Sequence, residues 1–120
     1  MKILQMAWFF ACLTCLPAMA GEADVIDVRV SGSGTKFSFS VTVRHKDEGW
    51  DHYADKWEVV GEDGTIYGTR ILAHPHVDEQ PFTRQGRAEV PLGIKSVIVR
   101  AHDSVHGYGG KEMTVELPNR

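Results

Sequence analysis

Two histidines, two carboxylates and two prolines lie within the nine residues 74–82, HPHVDEQPF. In an extended segment the side chains of His74 and His76 project to the same side, with their Cα atoms about 6.6 Å apart at 3.3 Å per residue. That spacing lets two neutral imidazoles bind one metal ion, and a third histidine and a carboxylate would complete its ligands. The pair therefore predicts part of a site for zinc or copper(II).

The other four histidines lie in two further segments of the same chemistry, residues 45–53 and 102–108. The candidate metal ligands of the three segments are His45, His52, His74, His76, His102, His106, Asp78 and Asp103. A His-x-His pair alone is weak evidence for a metal. The metal hypothesis therefore depends on whether the fold brings the three segments together.

Aromatic residues in the same segments offer a second interpretation, in which exposed rings anchor a periplasmic protein or a small ligand. The candidate anchors are Trp50, Tyr53, Phe82 and Tyr108. In a third interpretation the histidines are structural: they satisfy backbone groups and the rings form a small core beneath the loops. The sequence leaves all three interpretations open.

Catalysis is the least favoured function. Asp103, Ser104 and His106 are the residue types of a hydrolase triad, but residues this close in sequence rarely reach triad geometry. An Asp-Ser pair also caps its own turn, which explains the local pattern without chemistry. We therefore expect a binding module rather than an enzyme.

Residues 1–20 are predicted to be a signal peptide. Lys2 precedes an apolar run from residue 3 to residue 16, Pro17 follows it, and residues 18–20 have the small-x-small form that signal peptidase recognises. The run is too short for a membrane anchor. Neither Cys12 nor Cys15 follows the small residues that a lipoprotein signal requires. The sequence thus predicts cleavage after Ala20 and a periplasmic or secreted protein.

Residues 21–120 then form one domain. Both cysteines leave with the signal peptide, so the core alone must stabilise the exported chain. Loss of Lys2 leaves 12 basic against 16 acidic side chains, so the net charge becomes −4 with neutral histidines. Such a balance gives no electrostatic footprint for nucleic acid or for an anionic membrane, and neither partner is expected.

Period-two alternation predicts seven short strands. They are residues 25–30, 36–44, 56–60, 65–73, 84–90, 95–102 and 111–117. Residues 51–60 also allow a short helix, but the run ends in β-branched residues, so we prefer a turn that leads into a strand. The predicted core is Phe37, Phe39, Val41, Val43, Trp57, Val97, Val99 and Val115.

Seven short strands in about a hundred residues are typical of an all-β antiparallel sandwich. The pattern resembles the immunoglobulin-like and fibronectin type III-like sandwiches, in which the third strand often carries a core tryptophan, here Trp57. Residues 49–55, GWDHYAD, and residues 74–82 look like the signatures of a small exported bacterial family of that kind. The resemblance implies an immunoglobulin-like sandwich fold and no activity.

Alternating strand directions place the connections after strands two, four and six at one end of such a sandwich. These connections contain or adjoin all six histidines, whereas the connections after strands one, three and five are short turns. Function on a rigid sandwich commonly lies on loops at one end. We therefore expect the functional surface at the histidine-bearing end, which we call the histidine pole.

Overall fold

The computed structural model describes residues 21–120, so the signal peptide predicted for residues 1–20 lies outside the described part. Seven strands form two antiparallel sheets. The strands are β1 Asp24–Ser33, β2 Lys36–Arg44, β3 Ala54–Val60, β4 Ile66–Ile71, β5 Phe82–Glu89, β6 Ser96–Asp103 and β7 Met113–Glu116. The predicted fold class, a single all-β sandwich of seven antiparallel strands, is confirmed.

The first sheet has the strand order β1-β2-β5 and the second has the order β4-β3-β6-β7. The chain therefore crosses between the sheets after β2, β4 and β5. Every pairing between neighbouring strands is antiparallel. Within residues 21–120 no helix is long and apolar enough to cross a membrane.

The core lies between the sheets and follows the predicted alternation. In β2, Phe37, Phe39, Val41 and Val43 are buried, and the residues between them are exposed or half-buried. Trp57 of β3 is 1% exposed. Its ring lies against Gly86 of β5, where an added Cβ would stand 2.7 Å from the ring. A glycine at position 86 thus makes room for the tryptophan, although it weakens the strand pattern in the sequence.

The first strand departs from its predicted phase. Val25 is fully buried, whereas Ile26, which we predicted to share a face with Val28, lies at an irregularity in the pairing of β1 with β2 between Val25 and Asp27. An extra residue in one strand changes the face on which the following residues lie.

One residue predicted for the core lies at its border: Val115 of β7 is half-buried and packs against the core.

The two ends of the sandwich differ as predicted. The connections after β2, β4 and β6 contact each other: His76 N–H donates to Asp47 Oδ2, and Ser104 N–H donates to the Tyr53 carbonyl. The chain also enters the domain at this end, because Asp24 at the start of β1 pairs with Arg44 at the end of β2. Residues 21–23 consequently lie beside the histidine pole.

Candidate metal centre

Three imidazoles converge on one oxygen of a buried carboxylate. Asp103 Oδ2 lies 2.9 Å from His45 Nε2, 3.0 Å from His52 Nε2 and 3.1 Å from His106 Nδ1. The ligand atoms of His45, His52 and Asp103 all lie within 4.8 Å of one another. We call these four residues the His3Asp cluster.

Asp103 is held in place by the turn that ends β6. Its Oδ1 accepts the backbone N–H of Val105 at 2.6 Å and that of His106 at 2.7 Å. Gly107, with φ of 73°, closes the turn by backbone hydrogen bonds with Asp103. The capping role expected from the sequence is therefore present, but it uses one carboxylate oxygen and leaves the other facing the imidazoles.

The Asp103 carboxyl is ionised in this setting. Burial by itself would raise its pKa, but the backbone N–H groups of His106 and Val105, together with the side chains of His106 and His52, outweigh burial and hold the pKa well below its ordinary value. A fully buried carboxylate is thus kept negative by donors that surround it. Negative charge at this point favours any cation bound among the imidazoles.

His45 is the buried member of the cluster and follows directly after β2. Its Nδ1 makes a short contact with Asp47 Oδ1, while its Nε2 faces Asp103. A neutral imidazole has one N–H and cannot donate to carboxylates on both sides. With Nδ1–H donated to Asp47, Nε2 presents a lone pair to Asp103, and a cation between the two would remove the conflict between these acceptors.

The opposite side of the cluster faces solvent. The side chains of His52 and His106 are 17% and 41% exposed, whereas those of His45 and Asp103 are 1% and 0% exposed. Burial lowers the pKa of His52, but contacts with Glu48 and Asp103 outweigh it, and the net pKa is raised. An ion held here would have a rigid, buried side and an accessible side.

A backbone oxygen that the sequence did not predict joins the cluster. The Gly21 carbonyl oxygen lies 2.7 Å from His45 Nε2 and 3.3 Å from His52 Nε2. The predicted ligands all lie in or beside the connections between strands, and none lies before β1. The same alternation of directions places the residues before β1 at the histidine pole, so the chain entry was the signal that could have revealed this donor.

His74 and His76 lie outside the His3Asp cluster, so the structure does not bring this predicted ligand pair to Asp103. Their rings lie 4.7 Å apart, but His76 is buried and stacks on Phe82 with ring centroids 4.0 Å apart. Neither ring nitrogen of His76 has a hydrogen-bond partner within residues 21–120. The backbone of this segment does reach the loop after β2, because His76 N–H donates to Asp47 Oδ2 at 2.6 Å, but the His76 ring packs on Phe82 and not on Asp103.

Two further predicted ligands also lie elsewhere. His102 Nδ1 lies 2.6 Å from Asp55 Oδ1, and its ring contacts Tyr108. It points away from Asp103 because successive residues of β6 face opposite sides of the sheet. Asp78 is exposed and outside the cluster.

The four aromatic residues predicted as partner anchors also differ in where the structure places them. Phe82 is 1% exposed, so its predicted role as an exposed anchor is wrong: it begins β5 and belongs to the core. The Tyr108 hydroxyl donates to Glu58 at 2.9 Å, and the Arg100 guanidinium lies 4.1 Å from its ring centre. Trp50 is 67% exposed and meets the edge of Tyr53. Of the four candidates Trp50 is the most exposed, and Tyr108 is also exposed, at 38%, while it makes these contacts.

Comparison with known proteins gives a relative and a fold, without an activity. No family model matches the chain. It is 48% identical over 96 residues to a protein of Halomicrobium mukohataei named "Putative lipoprotein", and the match covers 79% of this chain and 47% of that protein. The chain thus spans about half the length of the curated relative that it matches.

A solved structure shares the fold. The crystal structure of a hypothetical protein from Pyrococcus horikoshii OT3 superposes with a TM-score of 0.54 at 16% sequence identity, covering 84% of this chain and 92% of the other. At this identity the likeness concerns the sandwich architecture only. The chain is thus similar to a protein named as a lipoprotein and has the fold of a hypothetical protein of known structure.

Proposed function

We propose that this protein is an exported binding protein that holds one divalent transition-metal ion in the His3Asp cluster. The observation that carries the proposal is the convergence of three imidazole nitrogens on a single carboxylate oxygen at 2.9–3.1 Å. Around one tetrahedrally coordinated ion with ligand bonds of about 2.0–2.2 Å, neighbouring donor atoms stand about 3.3–3.6 Å apart. The cluster is therefore close to the size that an ion needs.

The chemistry of the donors narrows the choice of ion. Imidazole and carboxylate ligands suit zinc and copper(II), and two histidines with one carboxylate are also a set that iron(II) takes. Copper(I) prefers sulfur, and the single methionine after residue 20, Met113, lies in β7 away from this turn. Zinc, copper(II) and iron(II) are thus the ions to test.

The export part of the proposal has two supports. Residues 1–20 have the form of a signal peptide, and the similar protein of Halomicrobium mukohataei carries the name of a lipoprotein. A periplasmic or secreted location follows from the predicted cleavage. Mass spectrometry of the protein recovered from outside the cytoplasm should show Gly21 as its first residue, and an intact Met1 in the cytoplasm would contradict export.

Binding is favoured over catalysis by the state of the nearby serine. Ser104 Oγ accepts the backbone N–H of Tyr53, and His106 faces the Asp103 carboxylate. No serine nucleophile thus pairs with an imidazole base in this turn. The solvent-exposed side of the cluster leaves room for a further ligand on the ion. Binding of the ion does not by itself need a catalytic group.

The experiment is a metal titration of the folded protein produced without a histidine tag. A ligand that binds only the folded state raises the free energy of unfolding by RT ln(1 + [L]/Kd), about 2.7 kcal/mol at a hundredfold excess over Kd. At least one of the three ions should raise the melting temperature at pH 7.5. The replacement His106→Ala should abolish most of that gain and leave the metal-free protein folded, because the side chain is 41% exposed.

His74→Ala is the matched control, since His74 is an exposed histidine of the same pole outside the cluster. It should keep the full metal-dependent gain. A protein that none of the three ions stabilises would refute the proposal. Loss of the gain in His74→Ala together with its retention in His106→Ala would move the site to residues 74–76.

A second candidate is a partner-binding surface on the same loops. Trp50 is 67% exposed and Val105 is 57% exposed, and hydrogen bonds between Tyr53 and Ser104 join their two loops. An exposed tryptophan is a frequent anchor at interfaces. A photoreactive residue at position 50 should form a specific crosslink outside the cytoplasm that added chelator leaves intact. Absence of any crosslink, or its loss with chelator, would count against an independent partner site.

A further inference from the structure

Gly21 contacts the three imidazoles of the His3Asp cluster. Its carbonyl oxygen lies within 3.3 Å of both His45 Nε2 and His52 Nε2. A Cβ added to Gly21 would stand 2.2 Å from Cε1 and 2.7 Å from Nδ1 of the His106 ring. Residue 21 therefore lies against all three imidazoles of the cluster with backbone atoms alone.

The same residue is the first one after the predicted cleavage site. The small-x-small residues 18–20 direct cleavage between Ala20 and Gly21. Before cleavage the Gly21 nitrogen belongs to a peptide bond, and a neutral amide nitrogen is not a metal ligand. After cleavage it is an amine, and the amine nitrogen and carbonyl oxygen of one residue can close a five-membered chelate ring with an ion.

We propose that removal of the signal peptide completes the metal site, with Gly21 as a ligand through its new α-amino nitrogen and its carbonyl oxygen. The inference rests on the proposed metal function and adds a donor that the side chains do not supply. The cluster then offers three imidazole nitrogens, one carboxylate oxygen and one chelating terminus. Metal binding becomes tight only after export, since Gly21 has no free α-amino group in the precursor.

A side chain at position 21 would displace the His106 ring. Even a methyl group would enter the space of the His106 ring, and contacts below 3.0 Å force one of the two groups to move. Of the cluster, His106 is the most exposed side chain, so its ring would swing away from Asp103. A side chain at residue 21 thus removes one ligand while it leaves the sandwich core untouched.

The test compares three versions of residues 21–120 that differ only at the amino end. The first starts at Gly21, released from a cleavable fusion without added residues; the second carries one additional alanine before Gly21; the third starts at Glu22. Dissociation constants for zinc and copper(II) are measured at pH 7.5 by competition with a chelator. Metal-free melting temperatures establish that all three are folded.

The version that starts at Gly21 should bind at least about tenfold more tightly than the alanine-extended version, comparable to the effect of losing a group that supports a metal ligand. The version that starts at Glu22 should be as weak as the extended one or weaker. In the first version the copper(II) electron paramagnetic resonance spectrum should report one more nitrogen ligand than in the extended one. Equal affinities of the first two versions would overturn the role of the processed terminus and leave the His3Asp metal site standing.

A substitution pair provides a second measurement. Gly21→Ala should weaken binding in the version that starts at residue 21, whereas Glu22→Ala, one residue further and exposed, should not. If the Gly21→Ala variant binds the ion as tightly as the version with Gly21, a side chain at position 21 does not displace the His106 ring from the ion. If no version binds any ion, the proposed metal function fails first and the inference fails with it.

Discussion

Asp47 orients His45 from the side opposite to the cluster. Its Oδ1 contacts His45 Nδ1 and accepts the backbone N–H of Ala54 at 3.0 Å, and its Oδ2 accepts the backbone N–H of His76 at 2.6 Å. One buried carboxylate thus joins β3 and the connection after β4 to the histidine. Metal-binding histidines commonly donate their second ring N–H to such a carboxylate, which fixes the tautomer and raises the basicity of the ligand nitrogen.

The replacement Asp47→Asn should weaken metal binding and the fold together. An asparagine has a single acceptor oxygen, so its NH2 group would face a backbone N–H or the imidazole N–H. We expect a loss of about 10–100-fold in zinc affinity and of about 1–3 kcal/mol in the free energy of unfolding from buried groups left unsatisfied. Chelator competition and urea denaturation measure the two effects.

Asp51→Asn is the matched control, because Asp51 is an exposed aspartate in the same loop. Asp51→Asn should change neither the zinc affinity nor the free energy of unfolding. Unchanged zinc affinity in Asp47→Asn would show that the orientation of His45 does not depend on this carboxylate.

Binding of the ion should depend on pH. Imidazole binds metal in its neutral form, and its reference pKa is about 6.5, so protons compete with the ion below that value. The pKa of His52 is raised, which extends this competition above pH 6.5 for that ligand. Zinc should raise the melting temperature clearly at pH 7.5 and little at pH 5. A gain of equal size at pH 5 would indicate ligands other than histidine.

The two tryptophans of the sandwich should differ in their contribution to stability. Trp57 is 1% exposed in the core, and Trp57→Ala should lower the free energy of unfolding by about 3–5 kcal/mol. Trp50→Ala should have little effect, because its ring is 67% exposed on the loop. Urea denaturation followed by circular dichroism provides both values, and similar losses for the two would contradict the burial of Trp57.

The sequence predicted the strands well where one face is buried and the other is exposed to solvent. An example is β2, whose bounds are the predicted ones. It failed in β1, because a pairing irregularity such as that after Val25 has no residue signature in this chain. Alternating strand directions also predicted the histidine pole. They could not say which histidines meet, since that depends on loop paths: the segment with His76 packs on Phe82, and the turn after Asp103 folds back.

The lowered pKa of His76 predicts how the stability of the metal-free protein changes in acid. Burial, and then the positive charges of Arg84 and His74, lower its pKa, although Asp47 and Glu79 oppose the shift. A histidine whose folded pKa lies below 6.5 contributes stability that is present above pH 6.5 and is lost as the pH falls through the folded value. His52, with its raised pKa, has the opposite sign, and its contribution is complete below pH 6.5. The contribution of Asp103, with its low pKa, is constant between pH 5 and 7.5.

The replacement His76→Phe should therefore reduce the fall in the free energy of unfolding between pH 7.5 and pH 5. Phenylalanine keeps the stacking on Phe82 and removes two ring nitrogens that lack partners within residues 21–120, so the variant has no group to protonate there. His74→Phe, on the exposed histidine two residues earlier, should keep most of the original slope. Urea denaturation of the metal-free proteins at several pH values measures the slopes. A slope in His76→Phe as steep as that of the unmodified protein would assign the acid sensitivity to other residues.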